Sequence, residues 1–261
     1  MALYDGKTKV FLLSYTPDLE RLCASAMRSC YSDKPSHEIY LSADFDDGQV
    51  KRMLRKATEA GHLSVVEHAS LTFSISGVSR ALTHQLVRHR LASYSQQSQR
   101  HVKLKGEKWY LKPSSIQDAT FDALMAEVNK YYDSLLLRGI PKEDARLVLP
   151  NATLTHITMT TNPRELRRIF SLRCDIAAQW EIRDVCWVML GLSLLVAPNI
   201  FSTLEPPAAL SKEVLHRLEK LAKEVDEQRN EFNELKRGNV FEFKTTIDLE
   251  HPVAGYALKC T

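Results

Sequence analysis

The chain has 261 residues, 44% of them apolar and 26% charged, with a formal net charge of +3. Such a composition builds a full globular core and excludes a disordered or collagen-like chain. It offers no run near the roughly 18 apolar residues of a membrane span, and a net charge this small does not by itself call for nucleic acid.

The N-terminus carries a short apolar run without the basic region or cleavage site of a signal peptide. Val10 to Leu13 reads as a short strand. Thr16 and Pro17 read as the cap and first position of a helix whose apolar face is Leu19, Leu22, Cys23, Ala26, Met27 and Cys30. Residues 31 to 46 read as loop, and Asp47 to Ala60 as a second helix stopped by Gly61. Leu71, Phe73 and Ile75 alternate with Thr72, Ser74 and Ser76, which gives a half-buried strand ending at Gly77. Ser79 then caps a helix over roughly 80 to 92, followed by a loop rich in Ser and Gln. Trp109 to Leu111 reads as a strand, and 119 to 138 as a helix with Phe121, Leu124, Met125, Val128, Tyr132 and Leu135 inward. A short helix at 141 to 148 stops before Pro150, and the β-branched run 152 to 161 reads as a strand. Asn162-Pro163-Arg164-Glu165 has the order of a helix start, with Asn at the cap and Glu at the third position. That helix is expected to run to about Val196, where Pro198 forbids continuation. Pro206-Pro207 marks a linker, Ser211 to Lys236 a charged amphipathic helix, and Val240 to Ile247 an edge strand. Helices and strands mix without a βαβα alternation. The expected class is therefore α+β, a mixed or antiparallel sheet flanked by long helices, as a single domain with a C-terminal helical extension.

Charge is distributed unevenly. From His68 to Gly106 there is no acid, yet Arg80, Arg88, Arg90, Arg100, Lys103 and Lys105 lie in that window. Its centre, His84 to His101, reads HQLVRHRLASYSQQSQRH. Arg80, His84 and Arg88 are spaced i, i+4, i+8 on one face of the expected helix, with no acid three or four residues away. Arginines backed by serine hydroxyls and backbone N–H groups form a phosphate cradle. Arg173 is a second signal: Leu166, Ile169, Arg173, Ile176 and Trp180 form a stripe that puts this arginine in a core-facing slot without a local partner. An unpaired buried charge costs several kcal/mol, so it must meet a distant acid, a carbonyl or a ligand.

Other chemistries have little support. His62, Glu67 and His68 match no zinc spacing. The five cysteines form no C-x-x-C pair and none sits in a basic or His-rich motif, which fits a reduced cytoplasmic protein without a thiolate nucleophile. G-x-S-x-G, G-x-G-x-x-G and Walker A sequences are missing. Three functional readings remain at this point, the first two being a site for phosphorylated small molecules and a nucleic-acid-binding surface with Tyr94 and Trp109 as stacking rings. A third is an assembly protein built on the C-terminal amphipathic helix.

Arg88-His89-Arg90-x-x-Ser93-x-x-x-x-Ser98-x-Arg100 resembles the signature of the flavin-dependent thymidylate synthases. Gly61-His62-x-Ser64-x-x-Glu67-His68 precedes it. Ala145-Arg146-x-Val148-Leu149-Pro150, Asn162-x-Arg164, Leu172-Arg173-x-Asp175 and Gln179-Trp180-Glu181-Ile182 follow in the family's order. The resemblance covers roughly residues 50 to 205 and implies a catalytic part at 1–205 with 206–261 as an extension. It implies conversion of dUMP to dTMP with methylenetetrahydrofolate as carbon donor, FAD as redox carrier and NADPH as reductant. The assembly it implies is a cytoplasmic homotetramer with shared active sites and no membrane or nucleic-acid partner.

By motif position, FAD would meet Ser64, Arg88, His89, Arg90, Gln96, Asn162, Arg164 and Arg168. The nucleotide would meet Gln85, Arg88, Gln96, Ser98, Arg100, Arg146 and Arg173, with Arg173 on the uracil ring as the catalytic group. This sequence departs from the pattern at Arg168, where members often have Asn or His, and at Gln96, where others have Glu. Ala177 stands where some have His.

Overall fold

The computed structural model describes residues 7–104, 108–202, 204, 212–235, 238–251 and 253–259. Six strands form one sheet: β1 (Thr8–Tyr15), β2 (Leu71–Ser79), β3 (Ala92–Gln96), β4 (Leu154–Thr161), β5 (Val240–Glu242) and β6 (Val253–Lys259). Their order is β3-β4-β2-β1-β6-β5, and every neighbouring pair is antiparallel except β1 with β6. This is the expected α+β class.

Alternation along β2 explains its central place. Leu71, Phe73 and Ile75 are fully buried, while Thr72, Ser74 and Ser76 lie on the half-covered face. Gly77 does not end the strand. It sits at a positive φ of 71° where the register with β4 shifts between Ser76 and Val78, and a bulge there carries the strand on to Ser79.

The helices are α1 (Leu19–Ser29), α2 (Ser36–Leu41), α3 (Asp47–Glu59), α4 (Arg80–Leu86), α5 (Thr120–Leu137), α6 (Lys142–Ala145), α7 (Pro163–Arg173), α8 (Trp180–Val196), α9 (Pro198–Phe201) and α10 (Lys212–Asn233). Every residue of α8 from Glu181 to Leu195 is buried, so this helix is the core's axis and not an amphipathic surface helix. It contacts α4, α7, α9, α10, β1 and β6. Among the described residues no helix is long and apolar enough to cross a membrane.

Several expectations need correction. β1 is longer than Val10 to Leu13, and α1 starts at Leu19 after Asp18, because Thr16 instead accepts a hydrogen bond from the Ser70 amide at 3.0 Å. The stretch 31 to 46 contains α2. Trp109 to Leu111 makes only an isolated bridge, Tyr110 to Thr153. In α5 only Met125 and Tyr132 are buried, and Leu124 is 58% exposed.

Two long helices expected from the sequence are each shorter. The one at 80 to 92 ends at Leu86, and the Ser/Gln segment after it forms β3 against β4. Arg88 therefore leaves the face shared by Arg80 and His84. The one from Asn162 is divided at Cys174. Asp175 Oδ1 accepts the Ala177 amide at 2.8 Å in the turn, and Gln179 Oε1 accepts from Ile182 to cap α8. Ile176 of the predicted stripe is consequently half exposed.

The C-terminal part is built into the same sheet. β6 was not expected; it pairs parallel with β1, while β5 is the edge and spans only Val240–Glu242 of the expected strand. α10 packs on α8 with Val214, Leu221 and Val225 buried. The predicted Pro206-Pro207 linker, the helix ends at Ser211 and Lys236, and Lys105, Gly106 and Cys260 lie outside the described residues.

Candidate functional site

Ser79 caps α4 as expected, its Oγ accepting the Leu82 amide at 3.1 Å. A buried carboxylate from α8 holds the cap in turn: Glu181 accepts the Ser79 N–H at 2.7 Å and its Oγ–H at 2.5 Å. Past Leu86 the chain turns, and the Tyr94 hydroxyl on β3 lies 2.9 Å from the carbonyls of both Leu86 and His89. These contacts fix the turn that carries Arg88, His89 and Arg90. Burial pushes the Tyr94 phenol well up, so it remains a donor.

That turn faces α7 across a cleft of about 830 Å³, within the range of about 300–1,000 Å³ common for ligand sites. Arg88, His89, Arg90 and Leu91 line one side, and Leu63, Arg164, Glu165, Arg167, Arg168, Ser171, Leu172 and Arg173 the rest. Asn162 sets α7 in place by accepting the Glu165 amide at 2.9 Å, with Pro163 at the first turn. Six arginines thus converge, and Glu165 is the one acid among the lining residues. Arg164 pairs with Glu67, and Arg167 is buried with Nη1 on the Ile200 carbonyl. Among the described residues Arg88, Arg90, Arg168 and Arg173 have no carboxylate at ion-pair distance. Such a set of uncommitted guanidiniums fits a phosphorylated ligand.

His89 sits at the back of the cleft, buried. Its Nε2 accepts from Arg173 Nε at 3.2 Å, and its Nδ1 is 3.5 Å from Glu165 Oε1. Burial, with the Arg173 and Arg168 guanidiniums beside it, pushes the imidazole down to about 4, and the Glu165 carboxylate does not reverse this. The ring is neutral near pH 7. Burial raises the Glu165 carboxyl, opposed by Arg168 and Arg164.

Of the residues singled out in the sequence, Arg88, His89, Arg90, Arg164, Arg168 and Arg173 come together here. Ser64, in a 3-10 turn over Leu63–His68, is exposed next to the lining residue Leu63, and Asn162 serves as a helix cap. Gln85, Gln96, Ser98, Arg100 and Arg146 do not line the cleft. They belong to a second group around α4 and α6. Gln96 donates to Thr83 Oγ1 at 2.8 Å, Ser98 Oγ accepts the Arg100 amide at 3.2 Å, and Arg100 pairs with Glu143. Arg146 bonds the Glu143 carbonyl, and burial together with the nearby Arg146 charge lowers the pKa of Arg80.

The sequence reading missed Glu165, Arg167 and Glu181 as members of this construction. The place of Glu165 at the third helical position reads as a capping box, yet its carboxylate lies beside His89. The available signal was the spacing of Arg164 and Arg168, which are four apart and so share a helix face.

A sequence model described as thymidylate synthase complementing protein matches residues 11–199. The chain belongs to the family of flavin-dependent thymidylate synthases. A family protein of that name from Geobacter sulfurreducens is 46% identical over 204 residues, covering 76% of this chain and 87% of that protein. One from Clostridium tetani is 42% identical over 219 residues, covering 75% and 87%. Among solved structures, the fold is similar to thymidylate synthase X from Helicobacter pylori, crystallised with FAD and dUMP. It aligns with a TM-score of 0.62 at 21% identity, over 74% of this chain and 97% of that one. The match to the family model ends before α10, β5 and β6.

Proposed function

We propose that the chain methylates dUMP to dTMP, taking the carbon from methylenetetrahydrofolate, with FAD as redox cofactor and NADPH as reductant. The observation that carries this is the cleft itself: four arginines without carboxylate partners meet a neutral buried histidine, with both motif segments of the family contributing. Arg88, His89, Arg90, Arg164 and Arg168 would hold FAD, with Ser64, Gln96 and Asn162 at its margins. Arg168 lines the cleft and supplies a further cation there. When bound, FAD supplies the redox chemistry that links reductant and transferred carbon.

Arg173 would meet the uracil ring, placing a fixed positive charge where negative charge develops in the pyrimidine. Gln85, Gln96, Ser98, Arg100 and Arg146 would bind the rest of the nucleotide, with Arg88 reaching both ligands. Because, among the described residues, this second group does not line the cleft that Arg173 lines, a homotetramer with active sites completed between copies fits the arrangement. Exposed Leu124, Leu137 and Leu147 around α5 and α6 are apolar surface that such contacts would cover. We take 1–205 as the catalytic part and 206–261 as an extension integrated through β6 and α10, in a cytoplasmic enzyme.

Binding of FAD is the direct test of this assignment. Titrating the purified chain with FAD should give a yellow, stoichiometric complex that Arg88→Ala and Arg168→Ala weaken. A chain that takes up no FAD would refute the reading.

A further inference from the structure

Arg173 uses only one of its five N–H donors inside the described structure. Its Nε–H goes to His89 Nε2, and neither terminal nitrogen has a hydrogen-bond or ion-pair partner among the described residues, while the side chain lines the cleft. For Nε2 to accept, that nitrogen must carry the ring's lone pair, so the single proton of the neutral imidazole belongs on Nδ1. Nδ1 lies 3.5 Å from Glu165 Oε1. Carboxylate, imidazole and guanidinium thus stand in line, Glu165–His89–Arg173, across the gap between α7 and the turn after α4.

Glu165 is at the third position of α7, where a glutamate would ordinarily reach back to the cap residue's own amide. Here Asn162 still accepts the Glu165 amide, but the carboxylate faces His89 instead. It is buried at the rim of a cleft in which it is the one acid among six arginines. An acid needed only to balance charge would pair with one of those arginines directly, as Glu67 does with Arg164. Glu165 instead lies beside an imidazole.

We propose that Glu165 is a positioning residue for the methylation reaction: it selects the Nδ1–H tautomer of His89, so that His89 grips Arg173 by Nε and leaves its terminal fork free for the pyrimidine. This rests on the assignment of Arg173 to the nucleotide. The logic is that of carboxylate–histidine pairs elsewhere, in which the outer carboxylate sets which ring nitrogen faces the working group. With the other tautomer, Nε2–H would confront the Arg173 N–H, and the guanidinium would swing away.

The test compares Glu165→Leu with Glu165→Gln, both loaded with FAD. A glutamine carbonyl still accepts from Nδ1–H, whereas leucine fills the space and accepts nothing. Glu165→Leu should lose about 10- to 100-fold in kcat/KM for dUMP, the cost typical of removing such a partner, while its affinity for FAD, to which His89 is also assigned, falls by a smaller factor. Glu165→Gln should recover most of that loss. In the parent, ¹⁵N-histidine spectra should show His89 protonated on Nδ1, and in Glu165→Leu a shift towards Nε2. The proposal is overturned if both variants lose equally, if Glu165→Leu loses FAD in step with activity, or if parental His89 carries its proton on Nε2. Lack of dUMP turnover by the parent would refute the reaction assigned above, and the tautomer measurement would still judge the Glu165–His89 pair.

Discussion

The carboxylate of Glu181, at the start of α8, receives both the amide and the hydroxyl of Ser79, the residue that caps α4. Both partners are buried, and burial raises the Glu181 carboxyl while the two Ser79 bonds lower it. One acid therefore ties the core helix to the segment that delivers Arg88, His89 and Arg90. Removing it leaves two buried donors unsatisfied. Glu181→Ala is predicted to destabilise the fold by about 3 kcal/mol, read from the urea unfolding midpoint, with Glu181→Gln intermediate. An unchanged midpoint would show that the link is dispensable.

Gly191 on α8 lies against the Phe243 ring, and a Cβ there would come within 2.5 Å of Phe243 Cε1 and 3.2 Å of Leu221 Cδ1. Both neighbours belong to the C-terminal part. Gly191→Ala should cost about 1–3 kcal/mol through overpacking, offset in part by better helix propensity. Loosening should concentrate there, so amide exchange in β6 should rise more than in β2. Equal exchange in both strands would contradict this packing.

His251 is buried, next to Thr8 and Trp180, and burial pushes its imidazole down to about 4. An unfolded histidine titrates near 6.5, so on acidification the unfolded chain binds the proton first. The stabilisation is complete above that value and is lost as pH falls towards 4. His89 has the same sign. Asp184, which accepts the His251 amide and is pushed up to about 6 by burial, has the opposite sign: its contribution is present at low pH and lost as pH rises towards 6. Replacing His251 by Asn removes one acid-labile component. The stability difference between parent and His251→Asn should shrink between about pH 7 and about pH 4.5. A difference independent of pH would show that His251 is not held neutral.

Arg173→Ala should lower kcat/KM for dUMP by at least about 100-fold, the scale of losing one charge-stabilising donor. FAD affinity should change little, because Arg88, Arg90, Arg164, Arg167 and Arg168 remain in the cleft. Parallel loss of flavin and turnover would make Arg173 a structural residue.

Local signals were legible in the sequence and long-range ones were not. Ser79, Asn162 and the β2 alternation are decided within a few residues, and each is where the pattern puts it. The breaks at Leu86 and Cys174 carry no Gly or Pro. They depend on the Tyr94 hydroxyl taking two carbonyls and on the Asp175 turn, and an apolar period alone continues across both. β6 was missed because its burial does not alternate cleanly and its partner β1 lies at the other end of the chain. At the site, the motif residues with free cations were readable from charge. The groups that orient them, Glu165 through His89 and Glu181 through Ser79, were not, since each acts across a contact that only the fold creates.

The central claim is tested most directly by following dTMP formation by the purified chain given FAD, dUMP, methylenetetrahydrofolate and NADPH, with each left out in turn. The prediction is dTMP in the complete mixture and none when flavin, folate or reductant is withheld. No dTMP from a chain that has bound FAD, or equal dTMP after the flavin is stripped, would contradict it.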